Sequence, residues 1–191
     1  MGDKDSFDEK EGAFLLDVAR KTIENELFNK NQKILPDHDL PEKFIKKRGT
    51  FVTLTKKGNL RGCIGHIVPH EPLIESLKNN AIAAAFKDPR FPPLQRDEWK
   101  DVDIEVSILT DPKPLSYSDA QDLLQKLRPG VDGVIIQKGY HSATFLPQVW
   151  EQLPDKETFL SHLCMKAGLP ADAWKDGDLA VFTYQVQAFE E

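Results

Sequence analysis

Residues 49–67 restrict the fold more than any other stretch. "TFVTLT" is dense in β-branched and aromatic residues, "KKGN" holds a glycine for the turn, and "LRGCIGHI" runs back. Two such runs joined at Lys57-Gly58 specify an antiparallel hairpin. Uninterrupted pairing from that turn sets Thr55 opposite Leu60, Leu54 opposite Arg61 and Val52 opposite Cys63. Alternation then places Leu60 and Ile64 on one face, Arg61 and Cys63 on the other. Apolar residues fall on both faces, so this sheet is expected to be covered on both sides, at least in part.

The remaining segments are consistent with a hairpin-rich chain. Ser6-Phe7-Asp8-Glu9 has capping-box spacing, and Phe14, Leu15, Val18, Ala19, Ile23 and Leu27 recur at helical period. A first helix is therefore expected from about Phe7 to Asn29, followed by a loop over "LPDHDLPEKF". "EPLIESLKNNAIAAAF" predicts a second helix with Pro72 in its first turn, ending near Lys87 because Pro89 disfavours helix at Asp88. "DPRFPPLQRDEW" reads as irregular and proline-locked. "VDIEVSILT" reads as a strand, with Ile104, Val106 and Ile108 on one face and Asp103, Glu105 and Ser107 on the other. Further on come a short helix over Ser118 to Leu127 and a hairpin in "DGVIIQKGYHSATFLP" turning at Lys138-Gly139. A helix from about Glu157 to Ala167 and one final strand, "LAVFTYQVQAF", complete the chain. Helices and strands mix without a βαβ rhythm, which favours α+β with largely antiparallel sheets flanked by helices.

Composition narrows the function classes. A chain of 191 residues suits one domain, or one domain in two lobes. No apolar run reaches the length of a membrane span, and the acidic N-terminus lacks the apolar stretch of a signal peptide. Its match to M-G-x-x-x-S is read as chance. Cys63 and Cys164 are far apart and form no C-x-x-C, so a reduced, cytoplasmic setting is expected without a disulfide framework. The net charge of -6 argues against a nucleic-acid coat. From Lys43 to Arg61, however, seven basic residues occur with no acidic one. Lysines protecting a strand edge explain that run; a local anion or partner site is the other reading.

Cys63 is the main chemical candidate. Arg61, two residues earlier on a strand, shares its side, and a guanidinium there favours the thiolate. Gly62 and Gly65 remove side chains beside it and allow a bulge or a ligand pressed against the backbone. A free cysteine is equally at home as a small buried residue. Glu105 and Ser107 are placed to meet Arg61 across the sheet, with Glu105 either an acid–base group or half of a structural ion pair. Cys164 lies on an apolar helix face and reads as core. Among the histidines, His141 is a candidate base. His66 and His70 with Glu71 lack helical metal-ligand spacing because Pro69 intervenes. Standard phosphate, dinucleotide, zinc-protease and hydrolase motifs are absent, so neither cofactor nor metal is expected.

Taken together, "LRGCIG", "DPRFPPL" (Asp88 to Leu94), "EVSIL" (Glu105 to Leu109) and "ATFLPQVWEQ" (Ala143 to Gln152) resemble, in order, the blocks of the AMMECR1 family. The similarity is to its prokaryotic members, termed AmmeMemoRadiSam system protein A. That resemblance implies a single α+β domain over residues 1–191 in two unequal lobes. The larger lobe would hold both termini, the smaller would come from the middle of the chain, and the signature would lie near the groove between them. It implies a soluble intracellular protein associated with a Memo-like protein and a radical-SAM protein. It supplies no reaction. The site it implies comprises Arg61, Gly62, Cys63, Ile64 and Gly65, with Arg90, Glu105 and Thr144 as neighbours; His66 and His141 match no family motif. Two functions follow as expectations. In one, Arg61 orients a small anionic or carbonyl-bearing group and lowers the thiol pKa, Cys63 attacks or relays, and Glu105 holds Arg61. In the other, the chain is a non-catalytic adaptor for a protein partner or a nucleic acid.

Overall fold

Helix α1 (Glu9–Phe28) starts where the Asp8 side chain accepts the Glu11 N–H while the Glu11 carboxylate accepts the Asp8 N–H. The capping box is thus Asp8–Glu11 rather than the Ser6–Glu9 pair suggested by spacing alone. The computed structural model describes residues 6–191, and the Met1–Asp5 part of the myristoylation-like match lies outside them. After α1 come α2 (Glu42–Ile45), overlapping the end of the segment expected to be a loop, then β1 (Thr50–Lys56), β2 (Asn59–His66) and α3 (Leu73–Phe86). A short 3-10 turn at Trp99–Asp101 leads into β3 (Val102–Leu109), followed by β4 (Lys113–Pro114), α4 (Ala120–Lys126), β5 (Gly133–Lys138) and β6 (His141–Phe145). The chain ends with α5 (Val149–Gln152), α6 (Lys156–Lys166), a second 3-10 turn, β7 (Ala180–Tyr184) and β8 (Val186–Glu190). This is an α+β fold with two four-stranded sheets, ordered β2-β1-β3-β8 and β4-β7-β5-β6.

The chain divides into two units. One runs up to Leu109 and adds Gln187–Glu191; the other is Thr110–Val186. In the first unit, β1 is a central strand paired antiparallel to both β2 and β3. Val52, Leu54, Ile104, Val106 and Ile108 form one buried face of that sheet, joined in a single core to Leu15, Ile23, Leu73 and Leu77 of α1 and α3. The Asp103, Glu105 and Ser107 side of β3 is the opposite face, as alternation predicts. At the start of β1 a small polar network is sealed inside: the Thr50 and Ser76 hydroxyls lie 2.6 Å apart, and Asn80 donates to the Thr50 carbonyl at 3.1 Å.

The second unit gathers α4, α5 and α6 around a core with Leu123, Val134, Ile136, Leu163 and Cys164 fully buried. Trp150 stacks on Phe159 with ring centroids 3.5 Å apart and donates its indole N–H to the Asp132 carbonyl. The second hairpin turns at Gly139-Tyr140, one residue later than expected; Gly139 takes a φ of 61° there. The single strand expected over "LAVFTYQVQAF" is in fact two. β7 pairs with β5 in one sheet and β8 joins the other, and the break falls at Gln185, whose N–H and C=O are both bonded to Thr110. Strand period alone does not reveal a change of sheet, because the alternation continues across it.

Removing the observed cap tests the start of α1. Asp8→Ala is expected to lower unfolding free energy by about 1 kcal/mol in urea titrations, while Glu9→Ala changes it by a few tenths, about 0.3 kcal/mol. Equal losses would contradict the Asp8–Glu11 box.

Candidate functional site

The first hairpin departs from uninterrupted pairing, and the departure builds the site. Lys57 and Gly58 turn with positive φ values of 52° and 77°. Pairing starts as expected, with Lys56 opposite Asn59 and Thr55 opposite Leu60. Leu54 then lies opposite Gly62, Thr53 opposite Cys63 and Val52 opposite Ile64. Arg61 is the extra residue of a β-bulge. A one-residue slip exchanges the faces of everything beyond it. Without the bulge Cys63 would oppose Val52, which is fully buried. With it, Ile64 packs on the core and Cys63 moves to the outer face, partly exposed. There it forms a row with Thr53 and Glu105, which oppose each other across β1 and β3. The Thr53 hydroxyl donates to the Cys63 sulfur at 3.3 Å, and the Ser107 hydroxyl donates to Glu105 at 3.0 Å.

β2 is an edge strand, and its outer peptide groups at Cys63 are closed by the proline-locked segment after α3. The Cys63 N–H donates to Asp88 Oδ2 at 2.9 Å, and the Cys63 carbonyl accepts from Arg90 Nη2 at 3.2 Å. Asp88 also accepts the Arg90 N–H at 3.1 Å and grips its guanidinium through Nε (3.0 Å) and Nη2 (2.7 Å). The Asp88 side chain is 2% exposed, that of Arg90 54%. The Arg90 guanidinium, aided by backbone N–H donors, holds the Asp88 carboxyl well below the usual carboxylate range.

Arg61 has a different place from the one expected. It is only 7% exposed. Its Nε and Nη2 donate to Glu98 at 3.1 and 2.9 Å, and Nη2 also donates to the Pro92 carbonyl at 2.9 Å. Nη1 is buried without a hydrogen-bond partner among the described residues. Glu98, not Glu105, is therefore the carboxylate that holds Arg61, and the cation at the Cys63 peptide is Arg90. The Arg61 guanidinium, with Lys56 and the Gln95 N–H, lowers the Glu98 pKa from its ordinary 4.5 to about 2 despite partial burial.

The other residues of the signature have packing roles. A Cβ on Gly62 would run into the Ala84 carbonyl of α3, and one on Gly65 into the Phe51 ring and the Thr50 carbonyl. Thr144 belongs to the second unit, where its hydroxyl lies 3.0 Å from the Tyr184 hydroxyl. Burial pushes that phenol up to about 12. His141 is bonded through Nδ1 to the Ala167 carbonyl at 2.9 Å, and the rings of His66 and His70 meet edge-to-face at 6.0 Å. Among the described residues, no group of three or more His, Cys, Asp or Glu side chains is placed to hold a metal ion. Five of the seven cations between Lys43 and Arg61 face carboxylates: Lys43–Glu11, Lys46–Glu42, Lys56–Glu98, Lys57–Asp101 and Arg61–Glu98. The basic run in sequence is thus not a basic patch in space. Asp88, Glu98 and Thr53 escaped the sequence reading; an Asp-Pro-Arg triplet straight after a helix was the available signal for the first.

The depressed Glu98 pKa fixes the sign of a pH dependence. Stability from the Glu98–Arg61 pair is complete above the unfolded carboxyl value and is lost as pH falls through about 2. Urea titrations of Glu98→Gln are expected to show about 3 kcal/mol lower stability at neutral pH and a shallower decline between pH 5 and 2. Glu105→Gln is expected to cost less than Glu98→Gln at neutral pH, and the reverse ranking would contradict the assignment.

Comparison with known proteins agrees with this architecture. The AMMECR1 family model matches residues 16–189. A protein from Methanothermobacter thermautotrophicus is 48% identical over 95% of this chain and 94% of its own length. One from Methanocaldococcus jannaschii is 43% identical over 95% and 90%. The crystal structure of an uncharacterized protein from Pyrococcus horikoshii superposes with a TM-score of 0.80 at 39% identity, covering 97% of this chain and 93% of that one. Among the described residues, no helix is long and apolar enough to cross a membrane. By sequence and by fold, this chain belongs to the AMMECR1 family.

Proposed function

We propose that the outer face of β2 is a thiol site acting on a small anionic or carbonyl-bearing group, in a cytoplasmic system shared with a Memo-like protein and a radical-SAM protein. The observation that carries the reading is the β-bulge, which turns Cys63 off the buried face and into a polar row with Thr53 and Glu105. The same displacement brings Ile64 onto the core, and it leaves the sulfur partly exposed beside a hydroxyl donor rather than sealed among apolar groups. Cys63 is the attacking or relaying group, and the Thr53 hydroxyl orients its sulfur. Toward a carbonyl, the sulfur forms a bond to carbon, the π pair moves to oxygen, and the thiol proton leaves along the row toward Glu105 or to water. Glu105 therefore serves at the far end of the row, while Glu98 holds Arg61 and with it the bulge. The partner assignment is supported by the family resemblance, and the ion pairing across Lys43–Arg61 weighs against nucleic acid.

Iodoacetamide labelling of the native protein tests this reading. Cys63 is expected to react faster than a free cysteine model at neutral pH, while the fully buried Cys164 reacts only after unfolding. A Cys63 rate no faster than the model removes the nucleophile. Stable co-purification with a Memo-like partner that survives Cys63→Ser would then favour the adaptor.

A further inference from the structure

Three features of the Cys63 edge, taken together, select among electrophiles. First, Arg90 is placed before any ligand arrives. Its Nε and Nη2 are fixed by a nearly buried carboxylate, and Nη2 also touches the Cys63 carbonyl. That clasp leaves Nη1 outside it, on a side chain that remains 54% exposed. A guanidinium whose orientation is already set loses little freedom on gripping a planar anion. Second, the edge offers a backbone donor next to it. The Cys63 N–H points outward, to Asp88. Alternate residues of a strand point their peptide groups the same way, so the Gly65 N–H lies on the same outer edge. Third, the Phe51 ring occupies the space over Gly65, and the Phe91 ring lies 5.6 Å from the Arg90 guanidinium. The donors are thus set beside apolar surface, where an anion is less screened than in open water.

Two charges oppose this arrangement. Asp88 accepts the Cys63 N–H at 2.9 Å, but Nε and Nη2 of Arg90 already clasp that carboxylate. Glu105 shares the Cys63 face, but it stands two strands away, about 10 Å at ordinary inter-strand spacing, which is about one screening length at moderate salt. Arg90 bonds the Cys63 carbonyl itself, and its Nη1 is the cationic donor left over from the Asp88 clasp. Arg61 does not compete, because Glu98 and the Pro92 carbonyl engage it inside the protein.

We infer that this site takes a small carboxylate-bearing electrophile, with Arg90, held by Asp88, as the residue that reads the carboxylate. The inference rests on the thiol reading above and narrows its substrate class from anionic or carbonyl-bearing to carboxylate plus electrophilic carbon. Arg90 acts on specificity, so its signature is a preference between two reagents rather than an overall rate.

Iodoacetate and iodoacetamide supply the pair. Both alkylate a thiol by the same displacement: the sulfur–carbon bond forms, the carbon–iodine bond breaks, iodide leaves and the thiol proton goes to solvent. Only iodoacetate carries the carboxylate. The two are offered together to the full-length protein, and the products on Cys63 are counted by mass spectrometry. At low salt the ratio of carboxymethyl to carbamidomethyl adduct is expected to exceed that of a neutral model thiol by about tenfold. The excess collapses at high salt. The double variant Asp88→Asn/Arg90→Gln brings the ratio down to that of the model thiol; the pair is changed together because Arg90→Gln alone strands a buried carboxylate. Fast iodoacetamide labelling with a ratio equal to the model thiol's, unmoved by salt, overturns the carboxylate assignment and leaves the thiol site standing. Iodoacetamide labelling no faster than the model thiol removes the thiol site and this inference with it.

Discussion

The site depends on one extra residue in an edge strand. Because side chains alternate with period two, the bulge at Arg61 decides which of Cys63 and Ile64 enters the core. A bulge is a local disruption of the ladder and needs fixing. Here a charge-assisted, two-point pair with Glu98 fixes it, together with the Pro92 carbonyl. The arginine of the signature is therefore structural in its contacts and functional in its consequence, since it determines where the sulfur is.

A single irregular segment, residues 88–98, serves the strand twice. Its first residues close the outer peptide groups of Cys63 through Asp88 and Arg90. Its last carboxylate, Glu98, anchors the bulge. Pro89, Pro92 and Pro93 remove conformations that the segment would otherwise lose on ordering, and a backbone bond from Leu94 to the Ala85 carbonyl ties it back to α3. Gly62 lets α3 approach β2 closely enough for this to happen, because any side chain there would meet the Ala84 carbonyl. Edge protection, bulge and helix packing are thus one construction. It shields the strand from unwanted pairing while leaving the sulfur partly open.

Much of the fold was legible because local signals were strong. The positive-φ turn at Lys57-Gly58, the alternation of Ile104, Val106 and Ile108, and the proline stop after α3 each have a local physical cause. So the α+β class and the family followed from residues alone. The face of Cys63 did not. A bulge leaves the composition of a strand unchanged, and its cause, Glu98, lies 37 residues downstream. Sequence spacing put Arg61 beside the thiol and gave it to Glu105; contacts of long sequence separation give Arg61 to Glu98 and set Arg90 on the Cys63 peptide. The same blindness hid the change of sheet at Gln185, where a polar contact with Thr110 breaks an otherwise continuous pattern. The glycines were recognised as special, and the reason is close packing by Ala84 and Phe51.

The hairpin register can be read directly from cross-strand NMR contacts between α-protons. Because the Cys63 N–H points outward to Asp88, Thr53 and Cys63 form a non-hydrogen-bonded pair, the type in which the two Cα atoms approach most closely. A strong α-proton contact between Thr53 and Cys63 is the result this structure requires. A strong contact between Thr53 and Gly62 instead would mean an unbroken hairpin, with Cys63 facing the core and no site on the outer face of β2.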